Sequence, residues 1–163
     1  MEVTLPQGDL EDRLERYLEG FRSRHGLDEA EVEGSVVRLV VEPHIVPAVL
    51  TTARESLAIM HLSYITVLDR EGSFELTYEL LDLRGATVRV KTKVVSEEPV
   101  IDSVTGIYPT ANWHEREAYD MFGVAFKGHP DLRRVYMWQD HFDHHPLLKS
   151  FEINTKRTFE GLR

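Results

Sequence analysis

The chain has 163 residues, 29% of them charged and 42% hydrophobic, a net charge of −9 and no cysteine. One globular domain fits that length, and the acidic balance argues against a nucleic-acid binder, which needs clustered Lys and Arg to neutralise phosphates. The missing cysteines exclude disulfides, a thiol nucleophile and the thiolate ligands of iron-sulfur clusters.

In chain order, residues 9–25 place Leu10, Leu14, Tyr17, Leu18 and Phe21 at spacings of three and four, with acids early and bases late, which predicts an amphipathic helix. The start, MEVTLPQGDLEDRLERY, lacks the basic segment and apolar core of a signal peptide, and no apolar run reaches the roughly 18 to 20 residues that span a bilayer. Membrane association is therefore expected only through a partner. GLDEAEVEGS reads as a polar break, and VVRLVVE at 36–42 as a strand. Pro43 and Pro47 admit a helix from about 44, with Val46, Val49, Leu50, Ala53, Leu57 and Met60 as its apolar stripe and its end near Met60.

Three strands then follow in succession, at 61–69, 73–82 and 87–95, separated by the turn signals EG and RG. In the last, Thr87, Arg89, Lys91 and Lys93 alternate with Val88, Val90, Thr92 and Val94, so a meander with one wet face is expected. After a loop, NWHEREAYDMFG at 112–123 predicts a short helix, capped by Thr110 or Asn112 and ended by Gly123. The expected architecture is α+β, a mainly antiparallel sheet packed with helices. A body of residues 1–123 would carry an extended partner-binding tail, 124–163. The charge is split along that boundary: seven Lys/Arg against five Asp/Glu in the tail, twelve against twenty-three in the body. The tail also holds six of the fifteen aromatics and four of the eight histidines, the composition of an arm laid on a partner.

Candidate chemistry concentrates in two places. His114 and Glu115 begin like the zinc-protease helix, but the second His, at the position of Ala118, is missing. Glu115, Glu117 and Asp120 bring carboxylates together, yet Arg116 would hold them charged and favours ion-pair anchoring over acid-base catalysis. Whether that helix faces its own sheet or another protein stays open at this level. The second place, HFDHHP, gathers His141, Asp143, His144 and His145, competent for zinc, nickel or iron but without a distant fourth ligand at a recognisable spacing. Phosphate-binding loops and a nucleophile elbow are absent.

EREAYDMFGVAFKGHPDLRRVY, residues 115–136, closely resembles the signature of the thirty-kilodalton (30 kDa) subunit family of respiratory complex I. Glu115, Arg116, Glu117, Asp120, Met121, Phe122, His129, Arg133, Val135 and Tyr136 fill the pattern, and the likeness extends upstream to about residue 36. It weakens at Pro146–Glu152, where the family usually carries a segment like Pro-Leu-Arg-Lys-Asp-Phe-Pro. The resemblance implies a non-catalytic, cofactor-free scaffold subunit of a proton-pumping NADH:quinone oxidoreductase, peripheral on the cytoplasmic side of the membrane. It would pack against the quinone-site subunit and the iron-sulfur-cluster subunits of the same complex. Glu115, Arg116, Glu117 and Asp120 would make ion pairs that orient the helix, Trp113 and Phe122 would anchor it, and His129, Arg133 and Arg134 would touch the partner. The alternatives are the equivalent subunit of a membrane-bound energy-converting hydrogenase, a small metal-dependent enzyme using His141–His145 with Glu117, and a free-standing binding module.

Overall fold

The computed structural model describes residues 7–25, 29–138 and 144–152. The first helix, α1, runs Gln7–His25 and buries Leu14, Tyr17, Leu18 and Phe21 of the predicted stripe, while the side chain of Leu10 lies outside those described. Two strands follow, β1 at Glu29–Glu33 and β2 at Val36–Val40, joined across Gly34. β1 corrects the expected polar break. Only Ala30 and Val32 point inward between three glutamates, so an edge strand with a charged outer row hides its hydrophobic period.

A single 3-10 turn at Pro43–Ile45 leads into α2, Val46–Ser56, which ends four residues before the expected Met60. Leu57 still reaches the core from beyond the helix, but Ala58 takes a positive φ of 56° and leaves Met60 exposed. The meander is as predicted: β3 is His61–Arg70, β4 is Ser73–Leu81 and β5 is Thr87–Val95. The final elements are β6 at Val100–Asp102, α3 at Ala111–Phe122 and β7 at Ala125–Lys127.

The five-stranded sheet has the order β1-β2-β5-β4-β3, and every pairing is antiparallel except β2 with β5. That parallel pair arises because the chain leaves β2, crosses α2 and the β3–β4 hairpin, and returns to lie beside it with Val36 opposite Thr87. The fold is thus α+β with a mainly antiparallel sheet. Phe74, Leu76, Tyr78 and Leu80 of β4 share a buried face with Val88, Val90 and Val94 of β5, and the helices supply the other half of that core. The opposite face is the wet one, where Glu79 accepts from Tyr64 Oη at 2.6 Å and Arg89 Nε at 2.9 Å.

β6 and β7 form a separate parallel pair, Val100 opposite Ala125. The boundary expected at 123/124 therefore falls between α3 and β7, with Val124 and Phe126 buried in the common core. Among the described residues no helix is long and apolar enough to cross a membrane.

Candidate functional site

The site is the signature helix α3 and the chain that folds back over it. Thr110 stands at the N-cap without capping the helix; its hydroxyl instead donates to Leu62 O at 3.3 Å, fastening the helix start to β3. Gly123 ends the helix at a φ of 82°, its N–H donating to Tyr119 O at 2.9 Å. A Cβ there would stand 2.8 Å from the His145 ring, so glycine is needed for both the turn and the close approach.

Three charged residues of α3 are buried: Glu115, Arg116 and Asp120. A buried charge is tolerable only when hydrogen-bonded, and each solves this differently. Glu115 points toward the loop after β6: Oε1 accepts from Val104 N at 2.7 Å and Oε2 from Ser103 Oγ at 2.6 Å. No cation reaches it among the described residues, and burial pushes its carboxyl up to about 7 despite those two donors. Arg116 stacks its guanidinium 4.9 Å from the centre of the Trp113 ring, and its Nε donates to Arg133 O at 3.2 Å. It is a brace for the following loop.

Asp120 organises that loop. Its Oδ2 accepts three consecutive backbone N–H groups, Val135 at 2.9 Å, Tyr136 at 2.7 Å and Met137 at 3.0 Å, while Oδ1 accepts from Arg134 Nη1 at 3.0 Å. Burial alone would raise its pKa, but the four donors outweigh it and hold the carboxyl below the usual aspartate value. Arg134 Nη1 also donates to His144 O at 3.0 Å, His145 Nδ1 lies 2.9 Å from Asp120 O, and Leu147 N donates to Met121 O at 3.1 Å. Lys149 N extends the return path to Asp69 Oδ2 at 2.8 Å. The end of α3 is thereby clamped between two passes of the same chain.

This geometry corrects the expected ion pairs within the helix. Arg116 bonds carbonyls and an aromatic face, Glu115 has a hydroxyl and an amide, and Glu117 is exposed; the pair that forms among the described residues is Asp120 with Arg134, across to the next segment. Arg134 accordingly turns inward, its side chain only 10% exposed. Arg133 points out and pairs with Asp131 at 2.9 Å, and Trp113 is 62% exposed. Phe122 is half-buried with its ring edge-on to Phe74 at 6.3 Å. His129 Nε2 lies 3.2 Å from Asn112 O, and its Nδ1 accepts from Asp131 N at 3.0 Å. His114, half-buried, is pulled below the usual histidine value by burial, with Glu117 opposing and His61 adding to the effect.

Sequence reasoning missed Ser103, Val104, Asp69 and the amides of 135–137. The signal for the amides was the acid itself: a carboxylate on an apolar helix face must find donors, and Arg134 followed by an irregular stretch was the nearest supply. Of the proposed metal cluster, His141 and Asp143 lie outside the described residues. His144 and His145 lie inside, with His145 packed on α3 and edge-on to Tyr119 at 6.3 Å. Among the described residues no group of three or more His, Asp or Glu is placed to hold a metal.

Fold and site define an α+β domain whose signature helix is locked by the segment that follows it. Residues 39–157 match the family described as respiratory-chain NADH dehydrogenase, 30 Kd subunit, and the chain belongs to that family. It is 36% identical over 146 residues to an NADH-quinone oxidoreductase subunit of Moorella thermoacetica, covering 88% of this chain and 93% of that one. Against the like-named subunit of Methylobacterium sp. the identity is 39% over 150 residues, 88% of this chain and 66% of the relative. Several curated relatives are longer, this chain spanning about two fifths of those from Rhizobium meliloti and Azorhizobium caulinodans. A solved trypsin-resistant fragment of Nqo5 superposes with a TM-score of 0.63 at 32% identity, covering 74% of this chain and 99% of the fragment. A chain of the archaeal membrane-bound sulfane sulfur reductase shares the fold, with a TM-score of 0.71 at 24% identity over 87% of each.

Proposed function

We propose that this chain is a non-catalytic scaffold subunit in the peripheral arm of a proton-pumping NADH:quinone oxidoreductase, held on the cytoplasmic side of the membrane by its partners. The observation that carries this reading is the aromatic display built by the Asp120 clamp. Trp113, Tyr136 and Trp138 are 62%, 60% and 77% exposed, while the backbone from Val135 to Met137 is fixed by three N–H hydrogen bonds donated to Asp120 Oδ2. Large aromatics on a preorganised surface lose little entropy on binding and supply much of the energy of protein interfaces. The names carried by the relatives point the same way.

In this reading the docking face combines Trp113, Glu117, Phe122, His129 and Arg133 with the loop that Asp120 and Arg134 hold, and Glu115 and Arg116 act from beneath as supports. Residues 1–123 form the body, and 124–163 the arm that meets the quinone-site and iron-sulfur-cluster subunits. The chain itself binds no cofactor; its contribution is to fix the neighbours that do. The test is co-purification from native membranes. A Trp113→Ala, Tyr136→Ala, Trp138→Ala triple variant is expected to fold and to drop out of the complex, and full recovery with the complex would defeat the reading.

A further inference from the structure

Away from α3, the groove between α1 and α2 has the makings of a ligand site. Arg13, Arg16, Tyr17 and Gly20 fall on one face of α1, at spacings of three, four and seven, and face Thr52 and Ser56, one turn apart on α2. Together they line a cleft of about 400 Å³, within the usual range for small-molecule sites. Arg13 Nη2 donates to Leu57 O at 3.3 Å, and Arg16 Nε donates to Asp12 O at 3.1 Å within its own helix. Neither guanidinium meets a carboxylate among the described residues, a state they share with Arg22, Arg54 and Arg116, which bond backbone carbonyls. Two arginines with donors to spare therefore stand beside one cleft, although α1 as a whole carries five acids against four arginines.

Gly20 adds an independent sign. Glycine in a helix interior costs stability relative to alanine, and at this position a Cβ would meet nothing within 4 Å. Packing among the described residues therefore does not require the glycine, whereas it keeps one wall of the cleft low. We propose that the α1–α2 cleft binds a phosphate group, either of a soluble phosphorylated small molecule or of an anionic lipid headgroup. The two guanidiniums would bracket the oxyanion, which suits their planar forks, and the Ser56 hydroxyl would add a donor from the opposite wall.

The test uses the full chain, labelled with nitrogen-15 and titrated with inorganic phosphate at constant ionic strength. Saturable amide shifts confined to residues 13–20 and 52–57 are expected. Arg13→Gln with Arg16→Gln should weaken them by roughly tenfold or more. Arg16→Gln alone removes only a bond inside α1, so it serves where the double variant does not fold, and Gly20→Leu should block binding without changing charge. Shifts that never saturate, or that are equal in parent and Arg16→Gln, would overturn the proposal. A second arm sediments the chain with phosphatidylglycerol vesicles against phosphatidylcholine alone: binding to the first that Arg16→Gln abolishes assigns the headgroup. Saturable phosphate binding without sedimentation assigns the soluble ligand.

Discussion

The two buried carboxylates of α3 lie little more than one turn apart and are handled in opposite ways. Glu115 is given one hydroxyl and one amide and no described cation, so burial wins and its carboxyl is pushed up to about 7. Asp120 is given three amides and a guanidinium, and its carboxyl is held down. Burial is common to both, so donor supply decides the sign. Glu115 costs little to neutralise, whereas Asp120 is a charged post to which the next segment is tied.

Removing the post should therefore produce the largest effect. Asp120→Ala leaves the mostly buried Arg134 and three amides without their acceptor, and a loss of about 3 to 5 kcal/mol in urea unfolding is expected. A loss below about 1 kcal/mol would mean that the clamp is not formed in solution.

The comparison also fixes two pH slopes of opposite sign. For Glu115 the folded pKa exceeds the unfolded one, so the folded state binds more protons between about 4.5 and 7, and stability from this group falls as pH rises through that window, by up to on the order of 3 kcal/mol. For Asp120 the folded pKa is depressed, so its contribution is present above the unfolded value and is lost as pH falls through the folded one. Glu115→Gln should flatten the first slope while leaving the acid limb intact, read by unfolding midpoints from pH 4 to 8.

Gly123→Ala is next in size, since it combines a left-handed backbone with a 2.8 Å approach to the His145 ring; about 1 to 3 kcal/mol is expected from thermal or urea unfolding. Smallest is Arg133→Gln, on an exposed pair with Asp131, within about 0.5 kcal/mol of the parent by the same measurement.

Much of this fold could be read from residues. β5 was legible because Val88, Val90 and Val94 alternate with Arg89, Lys91 and Lys93, and α1 because its apolar stripe keeps a helical period. β1 was not, because an acidic edge strand buries too little to show an alternation, and the parallel β2–β5 pair is a product of the chain path rather than of either segment. At the site, the sequence left the directions of the signature residues unread. Arg116 and Arg134 look alike in sequence as cations near acids. Only the return of 129–138 over α3 turns one onto Trp113 and backbone carbonyls and the other onto Asp120. Whether an ion pair closes along a helix or across to another segment depends on tertiary position, which local spacing does not carry.

In the proposed reading, the inner faces of α3 and its loop fold this chain while the outer aromatics join it to others. The most direct measurement pairs stability with assembly in one variant: Trp113→Ala, Tyr136→Ala, Trp138→Ala, followed by urea unfolding and by recovery in the complex from native membranes. An unfolding midpoint close to the parent with loss of co-purification is predicted. Full co-purification of the folded variant would contradict the claim.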